Sequence, residues 1–549
     1  MKTYRALAVG LGLVVLGGPA VASSRPPSVQ ARLEALERAI ATQASQLATQ
    51  QQTIERQADE LQRLRQPVAQ AIAAAVPLSK DIEAQNAEIA TLQDNAEQQA
   101  LRDREQPRLS YMIGRPTISS SDGRYSVALR GLVQADAAHY DQEGQRIAAQ
   151  DFRRGSVGGS PNRETNAAQD LSDGAYFRRA RLGVEGVFNR DFGYRFVAEF
   201  AGSGTEGPAR INDAWVSYTG FAPFTVQAGA FSPPANMEDG TSPEDALFIE
   251  RASASEISRS LGGADGRLGV GIRGATTRWM GALTFTGRTV NDAEVFDSQA
   301  ALVGRIGHLL ATSDDYNIHV GLSGTYVFRV ADQGFGVNPQ HAIRLRDRPE
   351  ARIDSTRLID TGAIDARHAS AFGLELGAQY KNLYLQAEDF TFGIDRAAAN
   401  LSDPQFSGYY VQGSWILTGE RRRYNMANGS FQNPRPYSPA LGGGGIGAWE
   451  LAARFSDMNL NDRQGAAGSA NTLDGVRGGD QRIWTLGVNW YPNANMRMTL
   501  DYLDIDVRRL NPAGLGAATP FGPAPATPPA GVQIGQKAKI WAVRSQFSF

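Results

Sequence analysis

Arginine is the residue type in this chain whose placement could do chemistry. Of 55 basic side chains in 549 residues, Lys2, Lys80, Lys381, Lys537 and Lys539 are lysine, which leaves 50 arginines. Genome composition alone can produce that bias, but it cannot set the phase in which the arginines fall. Arg130, Arg179, Arg181, Arg273, Arg454 and Arg544 all lie in segments where apolar and polar residues alternate, and each takes the polar phase. A charge turned toward lipid would cost about 2–4 kcal/mol at mid-bilayer, so in a membrane barrel these six point to water. Guanidinium groups there favour anions and can grip phosphate or carboxylate in bidentate fashion. Ion pairs with Glu185, Glu375 or Glu450 are the alternative use of the same groups. Arg251 and Arg259 lie in the long connection from Phe231 to Gly262, beside Glu238, Asp239, Glu244, Asp245 and Glu250. That acidic cluster is either a solvated loop or, folded inward, a set of carboxylates facing arginines across an opening.

Other chemistry finds little support. The chain has no Cys, and His139, His308, His319, His341 and His368 show no paired ligand spacing, so no metal or cofactor is expected. Gly269-Val-Gly-Ile-Arg-Gly274 matches G-x-G-x-x-G, but neither a helix nor a βαβ unit surrounds it, and a strand with small residues on one face explains it. No G-x-S-x-G signature is present, and an enzyme is not expected. The formal charge of −2 becomes −4 if a leader carrying Lys2 and Arg5 is removed, so no basic field argues for nucleic acid.

The elements that position the arginines are read from period 2. In Tyr125–Asp136, residues Tyr125, Val127, Leu129 and Val133 share one face, and Ser126, Arg130, Gln134 and Asp136 the other. The same split recurs in Phe177–Phe188, Tyr194–Phe200, Leu374–Tyr380, Tyr409–Leu417, Trp449–Phe455 and Trp484–Trp490. It recurs last in Trp541–Phe549, a strand that is greasy on one face and ends in Phe. Roughly 440 residues at about ten per strand plus turns and loops make on the order of 16 strands. The expected fold is an all-β transmembrane barrel of about 16 antiparallel strands spanning residues 108–549. Tyr491–Asn495 reads as a tight turn, and Gly442–Gly445 and Pro520–Gly531 as loops. A soluble β-sandwich would not need outward aromatics at both ends of so many strands.

Ahead of the barrel, residues 1–22 carry Lys2, Arg5, an apolar run and Ala20-Val-Ala22, the pattern of a signal peptide. The run is too short to anchor a helix across the membrane. Residues 23–107 are rich in Ala, Gln and Glu, without Gly, and read as a coiled coil. Leu33, Ile40, Leu47, Ile54 and Leu61 recur every seven residues, with Leu36, Gln43, Gln50, Gln57 and Leu64 in the other seam position. Pro67 and Pro77 break the pattern before a shorter seam at Ile82, Ile89, Leu92 and Ala96. Buried Gln at the seam suits a device that fixes register and strand number, so a homo-oligomer, a trimer by preference, is expected rather than a single surface helix.

The barrel region resembles the phosphate-selective porin family of Gram-negative outer membranes, also called porin O and P. The resemblance rests on Leu129-Arg-Gly-Leu-Val-Gln-Ala-Asp136, Phe177-Arg-Arg-Ala-Arg-Leu-Gly-Val-Glu-Gly186, Phe248-Ile-Glu-Arg-Ala252, Ser407–Glu420, Gly447–Ser456 and Thr485–Pro492. It implies a trimeric, 16-stranded porin in which each barrel is a channel and basic residues at a loop-formed constriction pass phosphate or polyphosphate. It also implies that Phe549 is the mark read by the barrel assembly machinery. The chain departs from the family near Ser232, where relatives usually carry Lys. The expected function is passive diffusion of small anions across the outer membrane, lined by Arg130, Arg179, Arg181, Arg251, Arg259, Arg273 and Arg454. The alternative is a barrel-anchored structural protein whose periplasmic coil tethers the outer membrane to the cell wall or a periplasmic partner.

Overall fold

A computed structural model describes residues 106–112, 114–142, 171–201, 209–291, 296–512, 530–531 and 533–549, together with helical stretches at 49–63 and 88–98 and several positions from 40 to 47. The expected leader, the start of the heptad region and most of the Pro520–Gly531 loop lie outside the described residues. The chain divides into two units, Met1–Asp103 and Arg104–Phe549. In the first, the described residues are helical, and the heptad residues Ile54 and Leu61 are 65% and 61% exposed in the single chain.

The second unit is a closed barrel of sixteen antiparallel strands. These are β1 (Ser126–Gln142), β2 (Gly174–Phe188), β3 (Phe192–Glu199), β4 (Arg210–Phe221), β5 (Phe224–Phe231), β6 (Arg267–Ala275), β7 (Trp279–Thr289) and β8 (Ala300–Thr312). They continue as β9 (Tyr316–Arg329), β10 (Ile364–Tyr380), β11 (Leu383–Arg396), β12 (Gln405–Ile416), β13 (Ala448–Asp462), β14 (Val476–Asn493), β15 (Met496–Arg508) and β16 (Lys537–Ser548). Every segment read from period 2 falls on one of them. Closure runs from Ala538 opposite Gln142 to Ser548 opposite Leu132. The backbones of Phe549 and Gly131 then exchange N–H···O bonds of 3.0 and 2.9 Å. The Phe549 ring packs directly on Gly131, so that a Cβ on residue 131 would lie 2.3 Å from it and the ring would have to move.

Closure removes the free edges that lipid could not satisfy, and the outward phase is apolar. Val127, Leu129, Leu182, Val411, Trp415, Trp484 and Trp541 are all exposed. Aromatic pairs gather near the short-turn end, among them Phe192 with Tyr218 and Trp449 with Trp490, whose rings are 5.0 and 5.6 Å apart. A second band nearer the other end includes Phe285 with Phe328 and Tyr326 with His368. Two girdles around an apolar belt are what the two membrane interfaces call for.

Three connections turn inward. At the long-loop end, residues 232–266 enter the lumen as a short helix α1 (Met237–Gly240) and a longer one α2 (Ser253–Gly262), and residues 330–363 follow them. The third, residues 417–447, is at the opposite end, where the other connections have only two or three residues. The acidic cluster of 238–250 is therefore inside the barrel.

Candidate functional site

The lumen is filled unevenly. Against β8–β13 the inward loops are packed like a protein core: Ile257 and Leu261 of α2 cluster with Ala301, Val327, Phe390, Phe392, Phe406 and Tyr410, which are wall residues facing inward. Against β1–β7 there is an open cavity of about 380 Å³, lined by Arg115, Arg130, Arg181, Arg195, Arg251 and Arg273. Asp213, Asp239, Glu244, Asp245 and Asp265 share its wall with Asn, Gln, Ser and Thr side chains and with Trp215.

The inward loops are held to the wall by buried ion pairs. Arg454 reaches Glu350 of the 330–363 loop at 2.5 Å, donates to the carbonyl of Glu250 at 3.1 Å, and stacks 4.6 Å over the Phe248 ring. Glu250 is gripped by Arg178 at 2.5 Å, Arg352 at 2.9 Å and Arg544 at 3.3 Å. Arg305 binds Glu375 at 2.8 Å and holds the 417–447 connection through the carbonyls of Asn428 and Gly429. Arg422 pairs with Glu450 at 2.8 Å, and His319 lies 2.7 Å from the Tyr424 hydroxyl. On α1, the backbone N–H groups of Met237 and Glu238 donate to the Glu388 carboxylate on β11 at 2.7 and 3.0 Å.

On the open side, Glu185 of β2 accepts from three guanidiniums, those of Arg115, Arg130 and Arg195, at 2.6, 3.1 and 2.7 Å. Arg195 also lies 5.1 Å over Trp215. Among the described residues Arg273 has no ion-pair partner, and it is exposed on the same wall. Three guanidiniums thus share the one carboxylate of Glu185, and two of them, Arg115 and Arg130, also face Glu244 at 3.6 and 3.5 Å.

Four of the seven arginines expected from the sequence, Arg130, Arg181, Arg251 and Arg273, line this cavity; Arg179, Arg259 and Arg454 do not. Arg179 is buried and donates to Gln134 at 2.7 Å. Arg259 binds Asp239 at 2.6 Å and Asp265 at 2.7 Å, and Arg181 binds Asp265 at 2.9 Å. On the loop, outside the spanning strands, burial alone would raise the Asp265 carboxyl, but Arg259 and Arg181 hold it well below its usual range. Glu256 is likewise opposed by burial and brought to about 2 by Arg352, Arg259 and Arg251. Glu238 goes the other way, pushed up to about 7 by burial against the pull of Arg454 and Arg251.

Sequence reading missed Arg115, Arg178 and Arg195. Arg195 was within reach, because it occupies the polar phase of the alternating Tyr194–Phe200 segment. Arg178 was not: the β1–β2 register slips between Gln134 and Ala135, opposite Arg179 and Phe177, and the bulge turns two consecutive arginines inward. Arg115 lies on a hairpin of two five-residue strands ahead of the barrel, too short to show a period.

Sixteen strands, two aromatic bands and a lumen narrowed by inward loops define the class: an outer-membrane porin barrel. The phosphate-selective porin O and P family model matches residues 154–518, and the chain belongs to that family. It is similar to Porin O of Pseudomonas aeruginosa, 24% identical over 409 residues covering 70% of this chain and 84% of that one. An uncharacterized protein of Caulobacter vibrioides is 28% identical over 368 residues, covering 62% of this chain and 65% of its own length. Among solved structures, the anion-selective porin from Comamonas acidovorans covers 77% of this chain and 100% of itself at 13% identity and TM-score 0.44. The outer membrane channel DcaP of Acinetobacter baumannii does so at 77% and 97%, with 11% identity and TM-score 0.40. The family is one of channels and not of enzymes.

Proposed function

We propose that the chain is a porin through which small anions diffuse passively across the outer membrane, with phosphate or polyphosphate the leading solutes. The observation that carries this is the clustering of guanidinium groups on the open wall, where three gather on the single carboxylate of Glu185 and Arg273 stands without an ion-pair partner among the described residues. Arginines Arg130, Arg181, Arg251 and Arg273 are the proposed anion-contacting residues, joined by Arg115 and Arg195. Such groups can exchange anions bidentately without sealing the path, and conduction needs binding weak enough to release. The family description supports an anion, and the phosphate reading rests on that description. The test is the reversal potential of the purified protein in a planar bilayer under a KCl gradient, followed by titration of the chloride current with phosphate. Anion preference and block by phosphate support the reading, and cation preference contradicts it.

The N-terminal segment supports a second proposal, that the chain assembles as a homotrimer through its coil. Heptad residues Ile54 and Leu61 are uncovered in the single chain, and an apolar seam of that period is covered most simply by copies of itself. Deleting residues 29–104 separates assembly from tethering. Loss of trimers supports assembly, whereas intact trimers with a loosened envelope support the tether.

A further inference from the structure

The cavity of about 380 Å³ has a neighbour of about 350 Å³ at the short-turn end, lined among others by Arg423, Arg435, Arg497 and Phe549. Four described residues line both: Arg115, Glu244, Asp245 and Gln432. They mark the neck between the two spaces, and three of them come from the inward connections 232–266 and 417–447. The fourth, Arg115, comes from outside the barrel. It opens the second strand of the hairpin that pairs Arg108–Met112 with Arg115–Ser119.

The hairpin is docked at both ends. Its second strand extends the sheet of β1 through Thr117, Ile118 and Ser119, opposite Ala128, Val127 and Ser126. Its tip rests on the β14–β15 turn: Gly114 is left-handed at φ +78°, and a Cβ there would lie 2.7 Å from Asn495 Nδ2. That amide in turn donates to the carbonyl of Ser548 at 2.7 Å. From this seat Arg115 reaches Glu185 at 2.6 Å and Glu244 at 3.6 Å, and Arg130 meets the same two carboxylates at 3.1 and 3.5 Å. All four side chains keep about a fifth of their surface open, at 22, 18, 22 and 20% for Arg115, Glu185, Arg130 and Glu244, so the quartet borders a path and does not plug it.

Of the four residues shared by both cavities, two are carboxylates, one is an amide, and Arg115 is the cation. Without it the shared residues would hold no cation, Glu244 would keep only Arg130, at 3.5 Å, and the neck would shift toward cations, in opposition to the wall above it. We propose that Arg115 is the residue that sets ion selectivity at the neck, so that the sign of the charge filter is supplied by the segment preceding the barrel. This rests on the anion-channel reading of the lumen. One unit charge about 4 Å from a passing ion changes the permeability of an anion about fivefold in one direction and that of a cation about fivefold in the other, so about twenty-five-fold in their ratio, even at the dielectric of water.

Full-length wild type, Arg115→Ala and Arg115→Lys are compared in planar bilayers, with barrel folding checked by heat-modifiable electrophoretic mobility. The anion-to-cation permeability ratio is expected to fall about twenty-five-fold in Arg115→Ala and to be kept in Arg115→Lys. The chain has no cysteine, so Arg115→Cys allows a second reading on one folded channel: a cationic methanethiosulfonate should restore anion preference and an anionic one lower it further. A ratio that stays at the wild-type value in Arg115→Ala, or that does not respond to the sign of the thiol reagent, overturns the proposal. A wild type with no anion preference overturns the reading of the function instead. In that case the opposite effects of the two thiol reagents still decide whether residue 115 borders the path.

Discussion

Arg544 on the last strand holds Asp136 on the first through Nε and Nη2, each 2.7 Å from a different carboxylate oxygen. The pair is buried in the lumen wall at the seam where the barrel closes, and Arg544 reaches on to Glu250 of the inward loop. The closing strand is thereby fastened to the loop that narrows the channel.

Removing one member of a buried pair leaves the other uncompensated, at a cost of about 3–5 kcal/mol. Arg544→Leu should therefore lower the heat-modifiability transition of the barrel. The double variant Arg544→Leu/Asp136→Leu should recover part of the loss, because no lone carboxylate remains. A single variant as stable as wild type would contradict this role.

Glu388 seats α1 through two backbone N–H groups and accepts from Tyr410 at 2.5 Å. Glu388→Leu should loosen the loop that forms one side of the neck while the strand ladder of β11 persists. The expected result is greater open-channel current noise and a larger mean conductance, read from single-channel traces.

Acidity should act through the loop. Glu238, raised to about 7, keeps in the folded loop a proton that the unfolded chain releases at ordinary carboxylate pH. Its contribution to stability is therefore present below the usual carboxylate range and is lost as pH rises through about 7. Asp347, raised to about 7 by burial on the 330–363 loop, has the same sign. Thermal transitions at pH 5.5 should lie above those at pH 7.5, and Glu238→Gln should shrink the difference. Glu256, at about 2, adds stability above the usual carboxylate range that is lost only toward that lower value, so it does not contribute in this window.

Arg273 and Arg454 separate conduction from scaffolding. Arg273→Ala should reduce anion preference and phosphate block with little change in heat stability, because no ion pair among the described residues is broken. Arg454→Ala should destabilise by about 3–5 kcal/mol, since Glu350 loses its partner inside the packed half of the lumen. Selectivity measured on whatever folded Arg454→Ala remains should stay near wild type. Paired bilayer and heat-modifiability measurements check both.

The barrel was legible because lipid on one side and water on the other impose period 2 on every spanning strand. Arg130, Arg273 and Arg544 were legible for the same reason. Phase tells which way a side chain points but not what it meets, so Arg454 and Arg179 are inward yet engaged with Glu350 and Gln134. Period 2 also assumes a watery lumen, whereas Phe390 and Phe392 face inward to pack against the loops. Arg178 was hidden by a bulge, and Arg115 by a hairpin too short for periodicity. Gly442–Gly445 read as a loop, but that it belongs to a long connection entering from the short-turn end depends on the strand order.

The central claim is that the arginine-lined lumen conducts small anions. The most direct measurement is the zero-current potential of a single wild-type channel in a KCl gradient at neutral pH. The account predicts a potential of the sign set by chloride, with phosphate added to one side reducing the chloride current. A potential of the sign set by potassium would contradict it.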